Sequence, residues 1–428
     1  MKLLICVIFY ILGGFSLEYK LKKRVIKRVM QKDSKVYYWC IALMMISALN
    51  YGTIVQYGLR ILNICFSGYI IMSKLISGKK KLKKLSCTFL FGVYFGFCTI
   101  SSIYSVDIFE TVFKCIELWE DFIIIWLLFS SDNYEKVISN IFEVIISVLV
   151  NLEIISLVGF IILPSEFSNN ETKSVLGLQL SGGILSANAL GALGMIIIIL
   201  LLNSKYQNKY KLIILSFITI FLAQARTALI IMGCILLVQS LCTKRKGRYL
   251  ILSICIVIVL LNNFEFIKVY FLRGAAESNI SGMSGRKYMW DIAKQYINNK
   301  PLLGYGFGAS GIIVSSIINM SSLHSGYYET LMGIGYIGLM LLLCLYVYSG
   351  ILLIKNIFFK GFYNNSIELM LFIFFSIRSY TSLGIANWHS YEMTIWIILV
   401  FSINTFKFHG GIINCINKFI MKGEKKID

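Results

Sequence analysis

Along most of the chain, apolar stretches of about 15 to 25 positions alternate with short polar breaks, and few of these stretches carry a polar face. Such runs suit a bilayer, where a helix of about 20 apolar residues crosses the hydrocarbon while bonding every backbone group internally. Spans are expected at 3–17, 37–52, 54–76, 86–104, 111–129, 137–163, 182–202, 211–224, 226–242, 249–266, 328–354, 367–384 and 391–406. The pattern predicts an all-α polytopic membrane protein of about 12 to 13 crossings. The breaks are of two kinds. Lys20–Lys35, Lys79–Lys84, Lys205–Lys211, Lys244–Arg248 and the tail after Lys407 are basic and are expected on the cytoplasmic side. Asp107–Glu110, Pro164–Leu180 and Ile385–Ser390 are acidic or neutral and are expected outside. The first span is short, and a secretory signal is its competing reading. Leu17, Glu18 and Tyr19 make a poor cleavage site, and cleavage would leave Lys20–Lys35 on the wrong side.

One outer connection, 267–327, is far longer than a turn and divides the chain. Residues 1–266 hold the N-terminal spans, including an outward hairpin near 224–228, 267–327 form a large extracytoplasmic loop with short helices, and 328–428 hold the last spans and a basic tail. Within the loop, Met289, Trp290, Ile292, Ala293, Tyr296 and Ile297 recur at roughly helical spacing, with Arg286, Lys287, Asp291, Lys294 and Asn298 among them. A helix over 284–299 is expected, capped by Ser284 and ended by Pro301. On periodicity alone it could equally lie on the bilayer surface.

Composition agrees with the class: 57% of residues are hydrophobic, 14% are charged, only two are proline, and mean hydropathy is +0.76. The net charge of +20 does not indicate nucleic acid, because the cations sit in short runs between spans. The eleven cysteines are scattered singly within apolar segments, without CxxC or spaced histidines, so they read as packing residues and no metal site or disulfide framework is expected. Gly304, Gly306 and Gly308 follow no strand and precede no Lys-Ser or Lys-Thr, which argues against a nucleotide loop and for a tight turn at the membrane. Gly333, Gly335 and Gly338 suggest close helix packing. Glycosylation sequons at Asn170, Asn279 and Asn319 are short patterns without a function assigned.

The constellation Gly285, Arg286, Trp290, Pro301–Gly308, His324, Gly335 and Gly338 resembles the O-antigen ligase and polysaccharide polymerase family. So does Gln224-Ala225-Arg226-Thr227-Ala228 at the tip of the outward hairpin. The strong resemblance runs from about 222 to 341, and upstream only the number and spacing of spans agree. Ala225 stands where the family often has Ser, and Ser325 where it often has Asn, which leaves one hydroxyl contact and the support of the histidine backbone open, although Ser325 can still hydrogen-bond. The resemblance implies a GT-C-type glycosyltransferase that takes a glycan from undecaprenyl diphosphate on the outer side of the cytoplasmic membrane. It implies a sugar hydroxyl as acceptor, no metal and no cofactor.

The residues suit that chemistry. A diphosphate leaving group concentrates negative charge, and arginine meets it with a planar, permanently charged fork. Arg226 and Arg286 are the expected diphosphate ligands, with boundary snorkelling and surface exposure as their respective bland alternatives. The acceptor hydroxyl must lose a proton as it attacks, a task for histidine. Of three histidines, His409 lies in the tail and His389 lies beside Trp388 in the last outer loop, whereas His324 precedes a span at the face of the two arginines. His324 is therefore the expected general base. Trp290, Glu329 and Arg378 complete the expected substrate-binding set. Glu329 is alternatively an imidazole-orienting group or a helix N-terminal acid, and Arg378 a buried structural cation.

Three function classes follow: a glycan polymerase or ligase, a lipid-linked oligosaccharide flippase or transporter, and a membrane scaffold. No internal repeat supports a transporter, and a scaffold has no need of Arg226, Arg286 and His324 together. Polymerase and ligase share these motifs. The richness in Ile, Lys and Asn resembles low-GC Gram-positive chains, which lack a lipopolysaccharide core acceptor and so favour a capsule or exopolysaccharide polymerase, with chain-length regulator and flippase proteins as possible partners.

Overall fold

A computed structural model describes residues 32–47, 49, 53–77, 86–130, 134–174, 177–181, 183, 185–206, 208–242, 286–318, 322–386, 389–405 and 412. The expected spans at 3–17 and 249–266, the capping Ser284, and Gly285, Trp388, His409, Asn279 and Asn319 lie outside these residues. Within them the chain forms α1 (Lys32–Ser47), α2 (Thr53–Ser77), α3 (Ser86–Ile100), α4 (Ile108–Phe129) and α5 (Tyr134–Ile162). There follow α6 (Pro164–Phe167), β1 (Ser168–Ser174), β2 (Gly177–Leu180), α7 (Ala187–Leu202), α8 (Lys209–Leu222) and α9 (Arg226–Cys242). The last elements are α10 (Arg286–Asn299), α11 (Ser310–Ile318), α12 (Gly326–Lys360), α13 (Ser366–Thr381) and α14 (Tyr391–Thr405).

The eleven expected spans that fall on described residues coincide with helices to within a few residues at most ends. Three helical stretches, Ser86–Tyr104, Ser139–Ile162 and Gly326–Lys360, are long and apolar enough to cross a bilayer, and Ala187–Leu202, Arg226–Ser240 and Tyr391–Thr405 are shorter apolar helices. The chain is a helical membrane protein. One local departure from an all-α reading occurs: the 164–180 connection folds into the short α6 and an antiparallel β1–β2 pair, with Ser168 opposite Leu180.

Two helices have no polar face and sit inside. α7 buries every residue from Leu190 to Leu201, and α14 every residue from Tyr391 to Ile403, which is what all-round apolarity demands. Lipid chains are as apolar as leucine, so helices in a bilayer associate by close packing rather than by hydrophobic expulsion. Small residues permit this at α7, where a Cβ built on Gly191 would fall 2.1 Å from the Ala225 Cβ and one on Gly194 would meet Ile220 at 3.0 Å. α12 shows the opposite arrangement. Tyr336, Met340, Leu343, Val347, Ile351 and Ile354 form an exposed stripe at helical spacing, while Leu342, Leu345, Ser349, Leu353 and Asn356 are buried. Such a stripe suits a surface that faces lipid.

α12 is interrupted near its N-terminal end, where Ile334 (φ −126°, ψ 16°) and Gly335 (φ 66°, ψ −167°) leave helical geometry. Gly335 is therefore a break rather than the helix-packing glycine expected. Such a break opens backbone groups that cost several kcal/mol each when unbonded in a bilayer. The Pro301–Gly308 turn closes them. Tyr336 N–H donates to Pro301 O (2.8 Å), while Tyr305 N–H and Gly306 N–H donate to Met332 O (3.0 Å) and Gly333 O (2.7 Å). On its other side the turn is gripped by α4 and the segment before it. Phe307 N–H donates to Ser101 Oγ (2.9 Å), Thr111 Oγ1 to Phe307 O (3.0 Å) and Lys114 Nζ to Gly308 O (2.7 Å).

Only glycine tolerates the torsion at 335, and a Cβ there would lie 2.2 Å from Leu302 O. Gly335→Ala is expected to destabilise the fold by about 1–3 kcal/mol. Gly233→Ala, in a helical position with nothing within 4 Å, is expected to be neutral or slightly stabilising. Thermal unfolding of the two detergent-solubilised variants checks the contrast; equal midpoints would refute it.

Candidate active site

Arg226 opens α9, and its position is set by the tight turn before it. Gln224 adopts a left-handed conformation (φ 48°) and the turn is buried. Gln179, from β2, donates its side-chain N–H to Ala223 O at 2.8 Å, so the β-pair holds this turn from outside. Ala225 packs against Gly191 of α7, leaving no room there for a larger side chain. The half-buried Arg226 thus stands at a helix N-terminus, where unpaired N–H groups and the dipole also favour an anion.

Arg286 opens α10, which shows the expected helical face with Met289, Trp290, Ala293 and Ile297 buried. Trp290 lies one turn after Arg286 on the same side. Its ring stacks on Tyr328 (5.2 Å between centroids) and meets Tyr380 edge-on (5.4 Å), and its indole N–H donates to Leu323 O at 3.0 Å. Only 6% of Trp290 is exposed. It has no free face for a sugar and instead fastens α10 to α12 and α13.

His324 lies between Leu323 and the start of α12, in a left-handed conformation (φ 51°). Its turn is held at several points. Leu323 N–H donates to Glu329 Oε1 (2.6 Å), Ser310 Oγ donates to the other Glu329 oxygen, and His324 N–H donates to Ser322 Oγ (3.0 Å). Gly326 N–H donates to Ser382 O at 2.8 Å. Glu329 therefore supports the backbone beside His324 and is not bonded to the imidazole. Ser325, expected to hydrogen-bond in place of the family's Asn, is buried, and its hydroxyl has no partner among the described residues. Trp290 and Glu329 supply the support instead.

Arg378, on α13, is buried and lines a crevice with Asn188, Thr227, Ala225 and Phe374. Its Nε and a terminal nitrogen donate to Glu392 Oε1 at 3.2 and 3.0 Å. Tyr391 OH reaches the same oxygen (3.3 Å) and Ala189 O (2.9 Å). Arg378 is the paired cation of the group. Among the described residues, neither Arg226 nor Arg286 forms an ion pair.

The charges of these groups act on one another. The Arg286 guanidinium is pushed below its ordinary pKa by burial and then by the positive Arg378 and Arg226, though a guanidinium remains protonated. His324 is exposed at the rim, but the protein around its ring desolvates it. That effect, followed by the charges of Arg286 and Arg378, pushes its pKa below the ordinary histidine value. Arg226, Arg286, Arg378 and His324 thus converge from α9, α10, α13 and the start of α12. The group thus places two guanidinium forks, unpaired among the described residues, near an imidazole whose neutral form is favoured, an arrangement suited to an anion. Among the described residues, no group of His, Cys, Asp and Glu side chains is arranged to hold a metal ion.

Glu392 and Tyr391 escaped the sequence reading, as did the roles of Gln179 and Ser310. A signal for Glu392 existed: an acid in a late apolar span, facing an arginine in the preceding one, implies a pair in the bilayer.

No curated protein matches the chain. Residues 211–343 match a family model described as O-antigen ligase, a segment that contains Arg226, Arg286, Trp290, His324 and Glu329 and stops short of Arg378 and Glu392. Over that segment, about a third of the chain, the protein is similar to the O-antigen ligase family.

Proposed function

We propose that the protein is a polysaccharide polymerase that transfers a growing glycan from undecaprenyl diphosphate to a sugar hydroxyl of a lipid-linked repeat unit, on the outer face of the cytoplasmic membrane. The observation that carries this reading is the meeting of two arginines, unpaired among the described residues, with His324. The acceptor oxygen attacks the anomeric carbon, the bond from that carbon to the diphosphate oxygen breaks, and its electron pair leaves with the phosphate. Arg226 and Arg286 receive the developing charge, aided by the N-terminus of α9. His324 takes the hydroxyl proton. Arg378, already bound to Glu392, shapes the site and adds field rather than a free fork. Residue chemistry supports the donor class; the preference for polymerase over ligase rests on composition.

Replacing His324, Arg226 or Arg286 by Ala is expected to leave the protein inserted and to lower transfer about 100- to 10,000-fold. Polymer of wild-type length from these variants would sink the assignment. Incubating the purified protein with a lipid-linked repeat unit alone and resolving the product on a gel separates the two acceptor classes. A ladder identifies a polymerase, and no change until a second acceptor is added identifies a ligase.

The pH dependence has a definite sign. His324 acts as a base only when neutral, and its surroundings favour that form, so transfer is expected to hold as pH falls past the ordinary histidine value of about 6.5 and to decline only below it. A pH–rate profile of the wild type checks this; an acid limb centred above that value would contradict it.

A further inference from the structure

Roughly three turns into α4, a second charged group lies buried and takes no part in the chemistry above. Glu117, Glu120 and Asp121 are 1%, 5% and 0% exposed. From α2, Arg60 Nε lies 3.4 Å from Glu117 Oε1, and Ser67 and Asn63 donate to Glu120 Oε1. From α1, Cys40 meets Ser67 at 3.0 Å. Asp121 faces the last outer connection: its Oδ1 lies 3.6 Å from His389 Nδ1, and its Oδ2 accepts from Thr394 Oγ1 at 3.2 Å. The other nitrogen of His389 contacts Ser47 Oγ at the end of α1 (2.9 Å). Three carboxylates thus face one arginine and one histidine in the protein interior. Ionisable groups buried there are costly and usually functional.

The geometry couples this group to the site. His389 precedes α14 and Thr394 lies in its first turn, so Asp121 grips that turn at two points. Between them stands Glu392, whose carboxylate holds Arg378. Arg378 in turn lies within electrostatic reach of Arg286 and His324. Moving the first turn of α14 moves Glu392, and with it the guanidinium that shapes the site.

Resting on the enzymatic reading above, we propose that Asp121 and His389 are a positioning pair for Arg378, acting through the first turn of α14 and Glu392. The pair needs His389 charged. Burial opposes that charge, but the carboxylates of Asp121, Glu117 and Glu120 outweigh it and raise the His389 pKa above its ordinary value. The ion pair is therefore complete at low pH and is lost as pH rises through the raised value. It gives the pH profile an alkaline limb, opposite in sense to the acid limb of His324.

The test uses the full chain in proteoliposomes with a lipid-linked repeat unit, comparing wild type with H389Q and D121N. H389Q retains a polar side chain that does not titrate. It is expected to lower kcat about 10- to 100-fold with KM unchanged, to abolish the alkaline limb and to keep the acid limb. D121N is expected to shift the alkaline limb to lower pH. Hydrogen exchange at Met393 and Thr394, whose N–H groups bond to Ser390, should quicken in both variants while the remaining helices stay protected. An H389Q enzyme with wild-type kcat and an intact alkaline limb overturns the proposal. So does a variant whose folded fraction falls while its surviving molecules keep wild-type rates and exchange. Exchange needs no substrate, so unchanged exchange overturns the pair even where no transfer is seen, whereas absence of transfer by wild type sinks the enzymatic reading.

Discussion

A break in a membrane helix must find hydrogen-bond partners, and the break at Ile334–Gly335 organises the half of this protein that carries the candidate site. Its opened N–H and C=O groups bond to Pro301, Tyr305 and Gly306, so the loop turn cannot drift over the surface. Once that turn is fixed, α10 before it and α11 after it have defined places. The first part of α12, which follows His324, is fixed by the same bonds. Interior backbone satisfaction thus sets the geometry around the candidate site.

The site itself is a contest between like charges and their supports. Three arginines repel one another and disfavour a charge on His324, and only Arg378 has a carboxylate among the described residues. That arrangement resists assembly unless rigid elements impose it. The supports are neutral or local: the β-pair through Gln179 for the Arg226 turn, stacked Trp290 for α10, and Glu329 with Ser310 for the His324 turn. Residual repulsion suits anion binding, since it is relieved when an anion arrives.

Particular residues show why some of this was legible beforehand and some was not. Bilayer spans were legible because length and apolarity are properties of contiguous sequence. Arg226, Arg286 and His324 were legible as candidates because they fall on a recognisable family pattern and because arginine and histidine suit a diphosphate and a proton transfer. Trp290 and Glu329 are legible as neighbours of the site, but a sequence does not show which way an aromatic or acid turns, and here both turn to support backbone. The β1–β2 pair was missed because its strands are short and polar, with no alternation to betray a sheet. Gly335 reads from sequence as a packing glycine because a helix break has the same composition as a small-residue seam.

The sequence by itself determined the class of protein, the helical spans, the loop helix and the candidate arginines and histidine, since each depends on local composition or spacing. Only the tertiary structure decided the pairing of Arg378 with Glu392, the grip of Asp121 on His389 and Thr394, the support of the His324 turn and the docking of the 301–308 turn on α12. Those depend on directional contacts between residues far apart in the chain, and a hydrogen bond or ion pair is specified by where both partners stand, which no stretch of one strand records.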